Sequence, residues 1–244
     1  MVDENHIKEY LNMQHNSYQG RAAYAVMTAE GVRPETDGVI GNLSGQVKFP
    51  YDENIFKYFK GDPKECSVLE YGCGPGRNLL RMVNKFKLVA GCDISENNLS
   101  NLAKAMALNG KSNVMYIPTT GDRIPVDDNL FDVVFEVICM QHICSYTIRK
   151  RILTDMYRVC KPGGVVVCQL GFNNGNYPDY YVDYYADKLL GVKETNGASD
   201  CCVTDERQIT NDFFEIGFTV EGVWHTDTVA DVHHSSWIWI CGRK

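Results

Sequence analysis

A glycine-rich turn in the first third of the chain combines residues that suit a nucleotide-like ligand. The apolar residues Val68 and Leu69 precede Glu70, and glycine then occupies every second position from 72 to 76. Such glycines supply the unusual backbone angles of a tight turn and let a ligand approach the backbone closely. An acidic residue directly before the turn is hard to reconcile with a bound phosphate and fits a cationic ligand better. The pattern predicts a strand, a binding loop and a helix.

A second acidic residue follows the turn at the spacing of a ribose contact. The apolar run Leu88–Cys92 ends in Asp93, about 20 residues after the turn, where an acid can accept hydrogen bonds from both ribose hydroxyls. In a dinucleotide site the third glycine would stand where this chain has Arg77. We therefore expect a ligand that contains a ribose, and a nicotinamide oxidoreductase is the least favoured reading of this site.

From residue 66 onward, strand patterns and helix patterns alternate, which is typical of a doubly wound sheet. Ser95 is expected to cap the second helix, and Gly217 is expected to end the last one. The predicted strands lie near residues 66–71, 87–92, 113–117, 131–138 and 164–171, followed by a final antiparallel pair near 218–224 and 235–241. The predicted helices lie near residues 77–85, 96–109, 147–160 and 205–216.

Five motifs occur in the order that characterises a known family. They are Glu70–Gly76, Asp93–Ile94, Gly121–Arg123, Phe131–Val137 and Cys160–Gly164. Over roughly residues 66–172 the chain resembles the class I S-adenosylmethionine-dependent methyltransferases, in particular small-molecule-like members with a type 11 or type 25 methyltransferase domain. The resemblance implies an α/β fold: a Rossmann-like, doubly wound sheet of seven strands with an antiparallel last strand. The sheet would form a three-layer αβα arrangement with an N-terminal helical lid.

The resemblance also implies S-adenosylmethionine as the cofactor. Glu70 and the glycines would surround its methionine part and sulfonium, and Asp93 would bind the ribose. Asp122 would hydrogen-bond the adenine amino group, and Arg123 would flank the adenine ring. In related enzymes an N-terminal tyrosine often closes over the cofactor, which makes Tyr18 a candidate. The predicted cofactor-binding residues are Tyr18, Glu70, Gly72, Cys73, Gly74, Asp93, Ile94, Gly121, Asp122, Arg123 and Val137.

Two segments outside the motifs are candidates for the substrate side of the site. Residues 1–60 are predicted to form the N-terminal lid, with a helix over roughly residues 4–30. Residues 61–244 would form the methyltransferase domain, with a substrate-side insert over residues 172–204. Both segments contain tyrosines and polar side chains, which suit a pocket for a modest polar molecule. Tyr24, Phe172 and Tyr180 are the predicted substrate contacts, and packing in the core is the competing interpretation for any single tyrosine.

His142 lies just past the fourth predicted strand, where many small-molecule members of the family carry a histidine near the methyl group. Imidazole titrates near neutral pH, which suits a general base for a hydroxyl acceptor. The competing interpretation is a structural histidine that hydrogen-bonds the loop. We expect no metal, because His233 and His234 would face opposite sides of a strand and no Cys-x-x-Cys pair is present.

Charge and hydropathy narrow the class of partner. A net charge of −7 and an isoelectric point near 5.4 argue against a surface built to neutralise nucleic-acid phosphates, so DNA is not an expected partner. No apolar run approaches the ~20 residues that cross a bilayer, and the first residues lack the pattern of a signal peptide. We expect a cytoplasmic protein without a membrane partner, either a monomer or a homodimer.

Taken with the resemblance, these observations predict an enzyme. It would transfer a methyl group from S-adenosylmethionine to an O, N or C atom of a small-molecule metabolite by in-line displacement. Two alternatives stay open at this stage. One is a methyltransferase that acts on a protein or tRNA, and the other is a non-catalytic module that binds S-adenosylmethionine.

Overall fold

A seven-stranded sheet with helices on both faces forms the body of the protein. The computed structural model describes residues 4–22, 51–143, 145–172, 179–181, 201–227 and 234–244. The strands are β1 Ser67–Tyr71, β2 Leu88–Asp93, β3 Val114–Pro118, β4 Phe131–Val137, β5 Cys160–Phe172, β6 Thr219–Thr226 and β7 Ser236–Arg243. The helices are α1 Glu4–Ala22, α2 Tyr51–Ile55, α3 Arg77–Met82, α4 Glu96–Leu108, α5 Tyr146–Val159 and α6 Glu206–Ile216, with 3₁₀ turns at Pro63–Glu65 and Met140–His142.

The strand order is β3-β2-β1-β4-β5-β7-β6. Strands β1 to β5 run parallel, whereas β7 is antiparallel to both β5 and β6. All five residues of β1 are buried, as expected for a parallel strand covered by helices on both faces. This arrangement confirms the predicted Rossmann-like sheet, its antiparallel end and its helical layers.

Local sequence signals account for the ends of the helices. Ser95 caps α4 by accepting a hydrogen bond from the Asn98 amide at 3.2 Å, as predicted. Ser145 caps α5 in the same way through the Ile148 amide. Gly217 adopts a φ of 114° and ends α6, as its sequence position predicts.

The start of β5 differs from the prediction. The strand begins at Cys160, which pairs with Phe131, and not near residue 164. The register then shifts, because the next pair joins Val133 to Val165. The intervening residues contain Pro162-Gly163-Gly164, which read as a turn before a strand but form an irregularity inside it. The predicted motif at Cys160–Gly164 is therefore part of the strand.

The chain reverses its direction of strand addition at β1, since β2 lies on one side of it and β4 on the other. In open α/β sheets, ligands bind at such a switch point, outside the carboxyl ends of the strands. Helix α1 lies close to this edge, and Ile7 and Tyr10 are buried in the core cluster that also contains Ile117 and Met140. The described part of α1 ends at Ala22, so the rest of the predicted helix over residues 4–30 lies outside the described residues. The predicted domain boundary at residue 60 stays a prediction.

Among the described residues, no helix has both the length and the apolar character needed to cross a bilayer.

Candidate active site

The glycine turn after β1 is a tight loop that only glycine can build. Gly72, Gly74 and Gly76 have φ values of 68°, 53° and 92°, in the left-handed region that side chains disfavour. A Cβ at Gly72 would overlap the side chain of Cys139, and one at Gly76 would overlap the side chain of Leu102. The loop therefore lies directly against the segment that follows β4 and against helix α4.

Asp93, the last residue of β2, holds this loop to the start of α4. Its Oδ2 accepts a hydrogen bond from the Gly74 amide at 2.8 Å. Its Oδ1 accepts from the Ser95 amide at 2.8 Å and from Asn98 Nδ2 at 3.2 Å. Asp93, the residue predicted to bind the ribose, is thus a buried carboxylate that is 6% exposed. Three protein donors fix its orientation. Its contact with ribose stays a prediction.

Glu70 is buried at the end of β1, on the side of the loop nearest the sheet. Asn78 Nδ2 donates to Glu70 Oε1 at 2.6 Å. Among the described residues, Glu70 Oε2 and Asn78 Oδ1 are buried and have no hydrogen-bond partner. Burial raises the pKa of Glu70 to about 8, although the hydrogen bond from Asn78 and the charge of Arg77 oppose the shift. A cationic group of a ligand beside Glu70 would favour its ionised form.

The third predicted motif, Gly121–Arg123, follows β3 and lies at the same carboxyl edge of the sheet as Glu70 and Asp93. Tyr71 donates its hydroxyl to the Gly121 carbonyl at 2.9 Å, and Gly121 has a φ of 104°. The Ile94 side chain fills the space beside Gly121. Asp122 accepts from Thr120 Oγ1 at 2.9 Å, while Arg123 is exposed. The structure therefore brings Ile94, Gly121 and Asp122 to the edge beyond β2 and β3, where the adenine contacts are predicted.

A second buried acid, Glu136, shapes the loop after β4. Its Oε2 accepts from the amides of Cys139 at 3.1 Å and Met140 at 3.2 Å, and its Oε1 accepts from the Gln169 amide at 3.1 Å. Burial raises the pKa of Glu136 to about 7, and these three hydrogen bonds oppose the shift. Ile138 in this loop has a φ of 55°, which is unfavourable for a β-branched residue.

Sequence reasoning included Glu136 in the fourth motif without giving it a role. The available signal was an acid in the apolar half of β4, where Val133, Val134 and Phe135 precede Glu136. Its partners lie in the next loop and on β5, 33 residues away, and only the fold brings them together.

His142 ends the 3₁₀ turn that this loop forms. The side chain is half-buried, and the carbonyl of His142 accepts from Gln14 Nε2 of α1 at 3.5 Å. The neighbouring Gln141 accepts from the Gly171 amide at 2.9 Å, which ties the turn to β5. Val137, just before the loop, is 8% exposed. The predicted base is thus held between α1 and the carboxyl ends of β4 and β5.

The last described turn of α1 lies at the start of α4, beside Asp93. Gln19 Oε1 accepts from the Asn97 amide at 3.2 Å and from Ser95 Oγ at 3.3 Å. Asn97 Nδ2 donates to the Gln19 carbonyl at 3.1 Å. Tyr18, the residue before Gln19, is half-buried. This position is compatible with the predicted contact between Tyr18 and the cofactor, which stays a prediction.

The predicted substrate contacts fall in different places. Phe172 ends β5, and its ring stands perpendicular to that of His225 at a centroid distance of 4.6 Å. Tyr180 is 1% exposed, and the Arg149 guanidinium lies over its ring at 4.5 Å. The surroundings of Tyr180 fit the packing interpretation, because its ring also contacts Tyr146. Tyr24 lies outside the described residues.

The histidines near the last two strands make protein contacts. His225 bonds to Glu206 at 2.6 Å and to Ser236 at 2.9 Å. His234 is buried against Gly171 and Trp237, whereas His233 lies outside the described residues. Within the part of the chain that the structure describes, no three His, Cys, Asp or Glu side chains come together as metal ligands.

Known proteins agree with this architecture. Residues 68–164 match a family model described as a methyltransferase domain, and that span contains the glycine loop, Asp93, Asp122 and His142. Residues 68–164 are thus similar to a methyltransferase domain, and the seven-stranded fold is shared with solved structures described as S-adenosylmethionine-dependent methyltransferases, at 15% and 18% identity and TM-scores of 0.57.

Individual relatives are more distant. The chain is 29% identical over 154 residues to phosphoethanolamine N-methyltransferase 2 of Caenorhabditis elegans, covering 62% of this chain and 35% of that protein. It is 32% identical over 105 residues to demethylmenaquinone methyltransferase of Shouchella clausii, covering 42% of this chain and 43% of that protein. The matches thus span less than half the length of either relative.

A solved structure shows the same fold. The Haemonchus contortus phosphoethanolamine N-methyltransferase 2, described with phosphomonomethylethanolamine and S-adenosylhomocysteine, superposes with a TM-score of 0.58 at 18% identity. The superposition covers 81% of this chain and 53% of that one.

Proposed function

We propose that this chain is an enzyme that transfers a methyl group from S-adenosylmethionine to an O, N or C atom of a small molecule by in-line displacement. One observation carries the proposal. Three glycines with positive φ form a cradle between the buried acids Glu70 and Asp93, at the switch point of the sheet. A Cβ at Gly72 or Gly76 would overlap neighbouring side chains, so the loop needs glycine at both positions.

The chemistry of the donors fits this cofactor. Asp93 presents a fixed carboxylate for the ribose hydroxyls. Glu70 and Asn78 keep buried oxygen atoms without partners among the described residues, which suits the ammonium and the positive sulfur of a bound ligand. Asp122 lies at the adenine end, and Tyr18 lies where α1 reaches α4. A dinucleotide would place an anionic pyrophosphate beside Glu70, where an acid is unfavourable.

When bound, S-adenosylmethionine would supply a methyl group on a positively charged sulfur, which departs as the neutral thioether of S-adenosylhomocysteine. The task of the chain is then to align the acceptor, the methyl carbon and the sulfur, an orientation effect worth several powers of ten in rate. Glu136 fixes the loop from Ile138 to His142 beside the glycine cradle, because its carboxylate holds the amides of Cys139 and Met140. For a hydroxyl acceptor, the imidazole of His142 would take the proton.

Helix α1 covers the proposed site, which favours a small acceptor over a macromolecule. Helix α1 bonds to the His142 carbonyl through Gln14 and to Asn97 through Gln19, so it spans the carboxyl ends of β2 and β4. The net charge of −7 also opposes binding of tRNA or DNA. The similar proteins named above carry the names of small-molecule methyltransferases. We propose a cytoplasmic monomer or homodimer.

A methyl-transfer assay tests this function. Purified protein is incubated with S-adenosylmethionine labelled in its methyl group and, in separate reactions, with a panel of small hydroxyl, amine and carbon acids, with bulk tRNA and with a protein extract. Label in a small-molecule product, with equimolar S-adenosylhomocysteine, supports the proposal. Label only in tRNA or protein would support the macromolecular alternative. Cofactor binding without any transfer would support the non-catalytic one.

A further inference from the structure

Two buried side chains on one face of the sheet carry polar atoms that have no hydrogen-bond partner among the described residues. Gln169 on β5 is fully buried, and neither its Oε1 nor its Nε2 has a hydrogen-bond partner among the described residues. Trp237 on β7 is 5% exposed, and within the same residues its Nε1 also has none. Buried polar atoms in folded proteins nearly always have partners, so these three atoms need an explanation.

The register of the sheet places the two side chains together. Gln169 pairs with Val137 on one side and with Trp239 on the other, and Trp237 lies two residues further along β7. Side chains alternate along a strand, so Gln169 points away from the face that holds Cys168 and Leu170. It therefore shares the opposite face with Val137, Trp237 and Trp239, which belong to one apolar cluster.

This position lies next to the proposed site of methyl transfer. Val137 and Gln169 stand at the carboxyl ends of β4 and β5. The loop that follows Val137 carries Cys139, which contacts Gly72 of the glycine cradle. A group that reaches Gln169 and Trp237 is therefore on the acceptor side of the cradle, beyond β4 and away from Asp93 and β2.

Gln141 is a buried glutamine whose side chain, unlike that of Gln169, has a structural hydrogen bond. Gln141 is also buried, at 2% exposed, but its Oε1 accepts from the Gly171 amide at 2.9 Å. Within the described residues, the fold thus satisfies the side-chain carbonyl of Gln141 and leaves both polar atoms of the Gln169 amide without a hydrogen-bond partner. A buried amide without a partner destabilises a fold, so a leucine at position 169 would be the more stable choice.

We propose that Gln169 and Trp237 bind the methyl acceptor, and that this acceptor is an uncharged molecule with a hydroxyl or carbonyl oxygen on an apolar body. The inference rests on the proposed methyltransferase function and specifies its substrate class. The indole of Trp237 can only donate, whereas the Gln169 amide can donate and accept, so one hydroxyl can accept from Trp237 Nε1 and donate to Gln169 Oε1, and a second acceptor oxygen can take the Gln169 Nε2 hydrogen. Their apolar and aromatic neighbours favour a flat, uncharged body, because a buried anion beside two neutral groups would be poorly compensated.

Calorimetry with two contrasting probes tests the inference. 1-Naphthol represents the neutral hydroxylated class, and phosphoethanolamine represents a charged acceptor. Each is titrated into wild-type protein with and without saturating S-adenosylhomocysteine. We expect 1-naphthol to bind and phosphoethanolamine not to bind. Gln169→Leu and Trp237→Phe should each weaken 1-naphthol binding at least tenfold while S-adenosylhomocysteine affinity changes less than twofold.

Thermal unfolding supplies the control for folding. Gln169→Leu should keep or raise the Tm, because it removes an unpartnered amide, whereas Gln141→Leu should lower it by leaving the Gly171 amide unpaired. Unchanged 1-naphthol affinity in Gln169→Leu would overturn the inference. A bound water would then be the partner of the Gln169 amide. Binding of phosphoethanolamine alone, or of neither probe, would overturn the acceptor class. Failure of S-adenosylhomocysteine to bind would count against the methyltransferase function, separately from the 1-naphthol result.

Discussion

Two buried glutamates on neighbouring strands differ in how the chain satisfies them. Glu136 pairs in register with Tyr71, the residue after Glu70, so the two acids face opposite sides of the sheet. Three backbone amides donate to Glu136. Glu70 receives the amide of Asn78 on one oxygen, and its other oxygen has no partner among the described residues. Glu136 thus fixes the surrounding backbone, whereas Glu70 keeps one buried oxygen that the described residues do not pair.

The same difference separates the two loops that meet at the site. The loop after β4 is held by hydrogen bonds of the protein itself, from its backbone amides to Glu136 and from the Gly171 amide to Gln141. It contains Ile138, whose positive φ is strained. The glycine loop after β1 is fixed by Asp93, which accepts a hydrogen bond from the Gly74 amide. Glu70, just before this loop, keeps a buried oxygen without a partner among the described residues. A site for in-line transfer needs both properties, namely a rigid support for the reacting groups and polar atoms reserved for the ligand.

The largest effect is expected from His142→Ala, which removes the proposed base from the rigid loop. For a hydroxyl acceptor, turnover should fall by about 10²-fold or more, the usual range for a general base. The affinity for S-adenosylhomocysteine should stay within about twofold, since the imidazole is assigned to the acceptor and not to the cofactor. Steady-state kinetics and calorimetry measure the two quantities, and equal loss in both would assign His142 a structural role.

Glu136→Gln and Glu70→Gln form a matched pair that tests the contrast between the acids. Glutamine at position 136 turns an amide nitrogen toward backbone donors, so the free energy of unfolding should fall by about 1–3 kcal/mol. Glutamine at position 70 meets no backbone donor among the described residues, so at pH 5 its stability should be near that of the wild type, while S-adenosylmethionine binding should weaken. Urea unfolding and calorimetry give these values. The contrast would fail if both variants lost stability equally.

Asp93→Ala should weaken S-adenosylmethionine binding by roughly tenfold, about 1.4 kcal/mol, because it removes the ribose acceptor and loosens Gly74. Asp62→Ala is the control, since Asp62 is an exposed acid that caps the short turn at Pro63–Glu65. Calorimetric titration of both variants measures the difference. An unchanged dissociation constant for Asp93→Ala would remove the ribose assignment.

The last prediction concerns the dependence of stability on pH. The pKa of Glu70 is raised from 4.5 to about 8, so the folded protein holds a proton that the unfolded chain releases. The linkage relation then makes stability fall as pH rises from the unfolded value toward 8, with a limiting slope of about 1.4 kcal/mol per pH unit. Unfolding measured from pH 5 to pH 8 should show a shallower decline in Glu70→Gln. Identical slopes in wild type and variant would show that Glu70 does not hold this proton.

Much of the architecture could be predicted from residue patterns. The apolar runs gave the strands, Ser95 and Gly217 marked helix ends, and the order of the motifs indicated the switch point where Glu70 and Asp93 meet. These features depend on local periodicity and turn chemistry, which are visible in a short window.

Features that depend on distant partners could not be predicted. The role of Glu136 depends on Gln169, and the burial of Tyr180 depends on Arg149, 31 residues away. The start of β5 was misjudged because Pro162 and its two glycines read as a turn, whereas pairing with Phe131 extends the strand back to Cys160. Likewise, no sequence pattern shows that the Gln141 side-chain carbonyl has a hydrogen-bond partner and that the Gln169 amide has none among the described residues.

Calorimetric titration of the wild-type protein with S-adenosylmethionine and with S-adenosylhomocysteine tests the central claim most directly, namely that the glycine loop with Glu70 and Asp93 is a cofactor cradle. We predict micromolar binding of both, with tighter binding of the cationic S-adenosylmethionine in the wild type than in Glu70→Gln. Binding of neither molecule, by a protein whose thermal unfolding shows that it is folded, would contradict it.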